Sequence, residues 1–256
     1  MELELKTALG DNYVSNSQKA RVITEKWVSD NMFCPRCGNI KIVQFENNRP
    51  VADFYCPQCK SQYELKSKNG SSLDIVCDGA YDTMIKRIAG LDNPDFLFMS
   101  YIGSQWKVNN FFFVPKHFFT PEIIEKRPPL SSTARRAGWT GCNIILKKIP
   151  SVGKIPIIKN GIILDKNDFL KRVCAADALN ISDMNSRGWM FDVMCCVDSI
   201  SGTSFSLHDM YQFEDRLAQK HPNNRNIKAK IRQQLQLLRD KGIIEFTHRG
   251  EYMKVL

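Results

Sequence analysis

Hydrophobic residues along the first part of the chain follow two different spacings. Spaced apolar positions in "ARVITEKWVSD" (residues 20–30) and "AYDTMIKRIAG" (residues 80–90) predict helices, the second of which ends at Gly90. Short alternating stretches between residues 33 and 66, including "IKIVQF" and "YELK", predict strands and tight turns. The continuous apolar runs "DFLFMSYI" and "NNFFFVPK" are typical of strands at the centre of a sheet.

A basic region and one more helix complete this part of the chain. Pro128 and Pro129 open a loop region, and "KIPIIKNGIIL" then predicts two strands around an Asn160-Gly161 turn. The stretch "DKNDFLKRVCAADAL" predicts a helix, with Asp165 or Asn167 as its cap. The pattern therefore favours an α+β or α/β domain built on a mixed sheet.

The spacing changes after the polar stretch "NISDMNSRG". Helical patterns follow in "WMFDVMCCVDSI", "SLHDMYQFEDRLAQKHP" and "NIKAKIRQQLQLLRDKG", and two alternating strands in "IIEFTHRGEYMKVL" surround a His-Arg-Gly turn. Three helices closed by a hairpin is the order of a winged helix, whose third helix enters the DNA major groove. We expect a first domain over residues 1–182 and a winged-helix domain over residues 183–256.

Charge points to a polyanionic partner. The net charge of +9 is uneven, because residues 126–164 hold eight Lys or Arg residues and no Asp or Glu. No amphipathic basic helix accompanies this segment, so nucleic acid is favoured over a membrane surface. The sequence contains no transmembrane stretch, and its amino terminus lacks the pattern of a secretory or transit peptide, so we expect a cytoplasmic protein.

Four of the nine cysteines form two C-x-x-C pairs. Eighteen residues separate Cys34-Pro-Arg-Cys37 from Cys56-Pro-Gln-Cys59, a spacing typical of four-cysteine zinc sites. A closed tetrahedral site leaves no position for substrate, so the predicted Zn²⁺ is structural. The alternative is four unrelated core cysteines or a redox pair. The other five cysteines show no ligand spacing and are expected to be small buried hydrophobic residues: Cys77, Cys142, Cys174, Cys195 and Cys196.

Asp53 and Glu64-Leu65-Lys66 form a second constellation. In a strand, Glu64 and Lys66 project from one face while Leu65 points to the core. Asp53, from a neighbouring strand end, can join Glu64 in holding Mg²⁺, with Lys66 orienting a water beside it. Such a group hydrolyses phosphodiesters, because the metal polarises the phosphoryl group and its bound water attacks in line. By itself the pattern also fits a solvated strand face, but the zinc site, basic segment and winged helix favour a nuclease.

Two further sets of residues are candidates for DNA contacts. In "STARRAGWTG", Arg135 and Arg136 suit phosphates or guanine edges, and Trp139 can stack on a base; the alternative is a core Trp beside solvated arginines. We predict that the long third helix carries Arg225, Lys228 and Arg232 on one face, opposite its apolar positions; a merely solvated face is the alternative. The remaining candidates are Asn223 and Asn224 before this helix, and His248 and Arg249 in the wing.

These residues carry a resemblance to a known family. The chain resembles the methyl-directed type II restriction endonucleases with a PD-(D/E)xK nuclease core: Asp53, Glu64 and Lys66 match the triad, the four cysteines match the zinc site, and the winged helix follows. One departure is that Asp53 follows Val-Ala, although Pro50 is close. The resemblance implies a monomer that cleaves duplex DNA at GATC carrying N6-methyladenine, with the Leu65 backbone carbonyl as a further Mg²⁺ ligand.

Two other functions remain compatible with the residues alone. A non-catalytic zinc-containing winged-helix transcriptional regulator would use the zinc, the basic segment and the third helix, but would leave Asp53, Glu64 and Lys66 without a role. A repair nuclease without sequence preference would use the triad but would not cut at defined sites. Metal-dependent nicking of plasmid DNA separates the first of these from a nuclease.

Overall fold

The computed structural model describes residues 1–46, 52–90 and 93–255. The chain divides into two compact units. Unit 1 comprises Met1–Lys147 and Gly153–Ala176, and unit 2 comprises Lys148–Val152 and Asp177–Leu256. Five residues at 148–152 thus leave the first unit and pack with the second.

A seven-stranded mixed sheet forms the centre of unit 1. Its strands follow the spatial order β1-β2-β3-β5-β6-β9-β10, in which β3 and β5 are parallel and all other neighbours antiparallel. The strands are β1 (Val43–Gln44), β2 (Phe54–Tyr55), β3 (Gln62–Asn69), β5 (Asp95–Ile102), β6 (Lys107–Val114), β9 (Ile155–Lys159) and β10 (Ile162–Ile163). The two apolar runs occupy the middle of this sheet, which confirms their prediction as central strands.

Aromatic residues explain why β5 and β6 are central. Phe111 and Phe113 on one face are fully buried; Trp27 packs edge-on against Phe111 with ring centroids 5.4 Å apart. On the opposite face, Phe96 stacks on Phe119 with centroids 4.2 Å apart. Each buried ring contributes on the order of 2–3 kcal/mol of hydrophobic stabilisation, so both faces of the middle strands must be covered.

Helices cover one face of the sheet. Helix α1 (Asn16–Asn31) places Trp27 on this face, and α3 (Lys166–Asp177) places Phe169 against Phe113. Helix α2 (Tyr81–Ala89) ends before Gly90, as predicted. The Asp165 side chain accepts hydrogen bonds from the backbone of Asn167 and Asp168, so Asp165 caps α3.

A second sheet of three strands was not predicted. It contains β4 (Ile75–Ala80), β7 (Ile124–Lys126) and β8 (Gly141–Ile145), in the order β4-β8-β7. The prediction of a loop region after Pro129 was therefore wrong over β8, whose apolar residues Cys142, Ile144 and Ile145 are buried. This strand is short and follows a polar, basic stretch, which hides it from sequence patterns.

Unit 2 is a helical domain closed by a small sheet. Its helices are α4 (Met184–Ser199), α5 (Leu207–Tyr211), α6 (Glu214–Lys220) and α7 (Ile227–Asp240). The hairpin of β12 (Ile244–His248) and β13 (Glu251–Lys254) is extended by β11 (Ser204–Ser206), in the order β11-β13-β12. The predicted second helix is thus two short helices, and β11 was missed.

Within the described ranges, no helix combines the length and apolarity needed to cross a bilayer.

Candidate active site and metal centre

The four cysteines of the two C-x-x-C pairs converge on one point. Their Sγ atoms all lie within 4.8 Å of one another, and the pairs Cys34–Cys59 and Cys37–Cys56 are both 3.6 Å apart. Four thiolates at this separation match the ligand set of tetrahedral zinc. The geometry therefore fits the predicted Cys₄ site.

The two cysteine pairs lie in equivalent turns. The Gly38 amide donates to the Cys34 carbonyl at 3.0 Å, and the Lys60 amide donates to the Cys56 carbonyl at 3.0 Å. Gly38 and Lys60 occupy the same position of each turn and both have positive φ, +72° and +64°. Such turns aim two sulfur atoms at one centre, and the strained φ at a non-glycine residue indicates that surrounding contacts hold the turn.

The thiols have different environments. Burial raises the pKa of Cys34 to about 12, although Tyr63 hydrogen bonds its sulfur at 3.0 Å. Burial also raises the pKa of Cys59, but hydrogen bonds with Ser61 outweigh it, and the net pKa is lowered to about 7. A divalent cation would convert the set to thiolates, because metal binding displaces their protons.

Asp53 immediately precedes β2 and lies beside β3. Its backbone amide donates to the Tyr63 carbonyl at 2.9 Å, and one of its carboxylate oxygens accepts from the Leu65 amide at 2.8 Å. The chain between Asp53 and Glu64 contains Cys56 and Cys59, so this connection runs through the cysteine cluster. Pro50, the residue of the family pattern, lies outside the described residues.

Glu64 and Lys66 project from the same face of β3. The Lys66 ammonium is 2.6 Å from Glu64 Oε1, while Arg87 of α2 donates to Glu64 Oε2 at 2.7 Å. Leu65 is only half-buried, so the expectation that it points into the core holds in part. The structure thus brings Asp53, Glu64 and Lys66 together at the same part of β3.

Asp78 of β4 was not found from the sequence. Its carboxylate pairs with the Lys66 ammonium, which therefore lies between two carboxylates. The side chains of Glu64, Lys66 and Asp78 are 13%, 17% and 7% exposed. Burial alone lowers the pKa of Lys66, but Glu64 and Asp78 outweigh this effect and raise it, so Lys66 is a fixed cation here.

The carboxylates are crowded. Burial, together with the smaller effects of the negative charges of Glu64 and of Glu25 on α1, raises the pKa of Asp53 to about 6, against the opposing Leu65 hydrogen bond. A buried group of acidic side chains with an adjacent backbone carbonyl is the donor chemistry that Mg²⁺ prefers. Asp53, Glu64 and the Leu65 carbonyl therefore fit a hard cation.

The basic loop between β7 and β8 contains the candidate DNA contacts of unit 1, and its last part is held by contacts of the Trp139 ring. Arg135 and Arg136 are exposed, and the Arg136 guanidinium lies 5.1 Å from the centroid of the half-buried Trp139 ring. A Cβ atom on Gly141 would lie 2.9 Å from this ring, so a larger residue there would displace Trp139. Trp139 is thus partly available for stacking but also packs against its own loop.

Of the seven candidate DNA contacts of unit 2, six are exposed and Asn224 is half-buried, and the position predicted for Arg225 was wrong. Helix α7 begins at Ile227 after Asn226, so Arg225 precedes the helix and does not share its face with Lys228 and Arg232. The Asn224 side chain accepts from the Asn226 amide at 2.8 Å, and this local bond forms a turn immediately before the helix. The other exposed candidates are Asn223, His248 and Arg249.

Lys228 and Arg232 share an aromatic neighbour. Arg232 donates to the Tyr211 hydroxyl at 2.6 Å, and Lys228 lies 5.4 Å from the centroid of the Tyr211 ring. Lys228 is also 3.2 Å from Glu214. Tyr211 therefore orders both cations on the exposed face of α7, which the helical spacing alone could not show.

Two models of known protein families match this chain, one in each part of the sequence. Residues 1–182 match the family described as "DpnI: Dam-replacing family". The chain belongs to the DpnI family. Residues 185–254 match the "Dam-replacing HTH domain", which confirms the carboxy-terminal helix-turn-helix module. Membership of the DpnI family implies a DNA-binding nuclease and suggests a methyl-directed restriction endonuclease.

Two of the remaining cysteines contradict their predicted burial. Cys142 and Cys196 are buried and Cys195 is half-buried, but Cys77 and Cys174 are exposed. Exposed thiols make no packing contribution, so for these two residues the interpretation as small core hydrophobes was wrong. Cys77 is exposed because it alternates with the buried Val76 along β4.

Proposed function

We propose that the protein is a Mg²⁺-dependent type II restriction endonuclease that hydrolyses duplex DNA at GATC sites carrying N6-methyladenine. The observation that carries this proposal is the convergence of Asp53, Glu64 and Lys66 on β3 in a chain of the DpnI family. A non-catalytic regulator would leave this buried, charged group without a role, and burying charge without a function is costly.

The same group supports a PD-(D/E)xK core. Glu64 and Lys66 lie on β3, which pairs with the parallel β5 in a mixed sheet, and Asp53 is supplied by the adjacent strand end. In this proposal Asp53, Glu64 and the Leu65 carbonyl hold Mg²⁺, which would polarise the phosphoryl group and supply an activated water. Lys66, already positively charged between Glu64 and Asp78, would stabilise charge that develops on the phosphate oxygens.

The cysteine cluster supports a separate, structural role for Zn²⁺. Cys34, Cys37, Cys56 and Cys59 fill all four tetrahedral positions, so no position is left for a reacting group. The cluster would hold the connection between Asp53 and Glu64. Two cofactors therefore have distinct tasks: Zn²⁺ fixes the geometry that Mg²⁺ requires.

DNA recognition is assigned to both units. Arg135, Arg136 and Trp139 would contact the target from unit 1, and the residues of α7, its preceding turn and the wing would contact DNA from unit 2. Burial of one methyl group contributes about 0.8 kcal/mol, or roughly a factor of four. Reading several methyl groups with two modules would multiply this small preference into selectivity.

The test uses one plasmid in two forms, with N6-methyladenine at its GATC sites and without it. With Mg²⁺, we expect discrete fragments from the methylated plasmid and none from the unmodified one. Uniform degradation of both forms would instead indicate a nuclease without sequence preference. Absence of any metal-dependent nicking would favour the non-catalytic regulator.

Variants of the candidate active site provide a second test, with a surface variant as the matched control. Asp53→Ala, Glu64→Ala and Lys66→Ala should each lose cleavage while binding methylated duplex nearly normally, because affinity comes mainly from phosphate contacts elsewhere. Asp168→Ala removes an exposed ion pair with Arg172 and should cut like the unchanged protein. Ca²⁺ in place of Mg²⁺ should likewise preserve binding and suppress cleavage.

A further inference from the structure

A groove in unit 1 lies outside the candidate active site. It encloses about 480 Å³ and is bordered on one side by Ser71–Asp74, the connection that leads into β4. Its floor is formed by Phe112 of β6 together with Pro156 and Ile158 of β9. We call this feature the lysine groove, after the three cations that line it: Lys147, Lys154 and Lys159.

The lysine groove opens on the same face of the sheet as the candidate active site. Lys66 pairs in register with Phe98, and Phe98 pairs with Phe112, so the three side chains share one face. Phe112 in turn pairs with Pro156. With strands about 4.8 Å apart, β6 and β9 lie two and three strands from β3, or roughly 10–14 Å across the sheet.

One segment of the chain, residues 71–78, borders both the lysine groove and the candidate active site. The Ser71 carbonyl accepts a hydrogen bond from Asn110 at 3.3 Å beside the groove, and Asp78, seven residues further along, pairs with Lys66. Between them, Lys68 donates to the Ile75 carbonyl at 3.1 Å. The groove and the candidate active site are therefore held in fixed relation by the same stretch of chain.

The groove is lined mainly by positive charge, which favours an anionic partner. The three lysines come from three places, the short turn after β8, the residue before β9 and the end of β9, and belong to the acid-free segment of the sequence. Among the described residues, Asp74 is the one acidic side chain lining the groove, and its carboxylate accepts from Ser72. Lys147 and Lys159 are exposed and Lys154 is half-buried, so all three ammonium groups can reach an anion.

We propose that the lysine groove binds the phosphate backbone of duplex DNA that flanks the cleavage site, an inference that rests on the proposed function. Three cations spread over separate elements suit a chain of phosphates better than one compact anion. At about 3.4 Å per base pair, 10–14 Å corresponds to three or four base pairs. Counted from the centre of a four-base-pair target, a contact at that distance lies one or two base pairs into the flanking DNA.

The experiment measures binding with Ca²⁺, so that cleavage does not interfere. Fluorescence anisotropy is recorded on two methylated GATC duplexes, one with a single flanking base pair on each side and one with ten. Lys147→Gln/Lys154→Gln/Lys159→Gln should weaken binding to the long duplex by about tenfold and leave the short duplex within about twofold. The slope of log affinity against log salt on the long duplex should fall by about 0.9 for each phosphate that the variant no longer neutralises.

A matched variant controls for the loss of net charge. Lys6→Gln/Lys41→Gln/Lys171→Gln removes three exposed lysines outside the groove and should bind both duplexes like the unchanged protein. Because Lys154 is half-buried, the double variant Lys147→Gln/Lys159→Gln is measured as well, with circular dichroism and thermal unfolding for all variants. The double variant should show the same length-dependent loss, only smaller.

Three outcomes would overturn the proposal. Unchanged affinity and salt slope on the long duplex would mean that the groove serves another anionic partner, such as an acidic protein segment. Equal losses on both duplexes would place the contact inside the target and not in the flank. Equal losses in the control variant would reduce the effect to net charge. A protein that binds both duplexes but never cuts with Mg²⁺ would refute the proposed function while leaving this comparison valid.

Discussion

Asp53 illustrates how a buried carboxylate of the candidate site destabilises the fold that holds it. Burial raises its pKa to about 6, above the ordinary 3.8, so the folded state retains a proton that the unfolded state has lost between these pH values. Stability from this group therefore falls as pH rises through that window. Asp53→Asn keeps the oxygen that accepts from Leu65 but removes the charge.

We predict that Asp53→Asn raises the stability of the protein in Mg²⁺-free buffer. The gain should reach about 3 kcal/mol at pH 8, since one pKa unit corresponds to about 1.36 kcal/mol. It should shrink as pH is lowered towards 4. Thermal unfolding at several pH values measures this, with Asp168→Asn as an exposed control. A gain that does not depend on pH would show that the charge of Asp53 is not its source.

Asp78 is predicted to position Lys66. Asp78→Asn should slow single-turnover cleavage at saturating DNA by about tenfold, because small displacements of a reacting group are costly. DNA affinity with Ca²⁺ should not change, since the Asp78 carboxylate is buried and pairs with Lys66. Asp78→Glu, which retains the charge, should recover part of the rate. A loss of affinity equal to the loss of rate would indicate a general structural defect instead.

At the scale of the elements, the two cysteine turns are predicted to bind one Zn²⁺ per chain. Cys56→Ser should lower the zinc content and reduce Tm by at least about 5 °C, because metal binding energy is folding energy in such sites. Cys77→Ser changes an exposed thiol outside the cluster and serves as the control. Elemental analysis and thermal unfolding of both variants provide the measurement; purified protein without zinc would contradict the prediction.

The sequence predicts elements best where a single physical effect dominates. The run "DFLFMSYI" coincides with β5 because both faces of that strand are buried. Strand β8 escaped prediction because its burial depends on pairing with β4, some sixty residues earlier, and the sequence around it is basic. Arg225 was wrongly placed on α7 because the residues just before this helix form a turn in which the Asn224 side chain accepts from the Asn226 amide, and the apolar pattern does not show this turn.

At the scale of the whole molecule, some residues of the candidate site can be recognised from local sequence patterns, and others only from the tertiary structure. Cysteine spacing and the Asp53, Glu64 and Lys66 pattern are local, so they can be recognised along the chain. Asp78 and Arg87 reach the site from β4 and α2, and nothing in their own neighbourhoods marks them as partners of β3. Tertiary structure alone reveals such partners, which form ion pairs with Lys66 and Glu64.

The division of the chain into units leads to a prediction about unit 2 in isolation. Asp198 accepts hydrogen bonds from the backbone and the hydroxyl of Ser151, both at 2.7 Å, and Ser151 belongs to the segment Lys148–Val152 that packs with this unit. A fragment of residues 177–256 lacks that segment. Because hydrogen bonds to a charged group contribute about 1.5–3 kcal/mol, it should fold with reduced stability.

We predict that this fragment nevertheless folds and binds DNA. Its core is retained, and Lys228 and Arg232 remain exposed on α7 beside Tyr211, so affinity should fall steeply with salt. Asp198→Ala should destabilise the full chain but barely change the fragment, in which Ser151 is absent; thermal unfolding of all four proteins tests this. Anisotropy at two salt concentrations tests DNA binding, with Lys228→Gln/Arg232→Gln expected to lower the salt slope. A fragment that is folded by circular dichroism but binds neither methylated nor unmodified duplex would assign unit 2 to protein contacts.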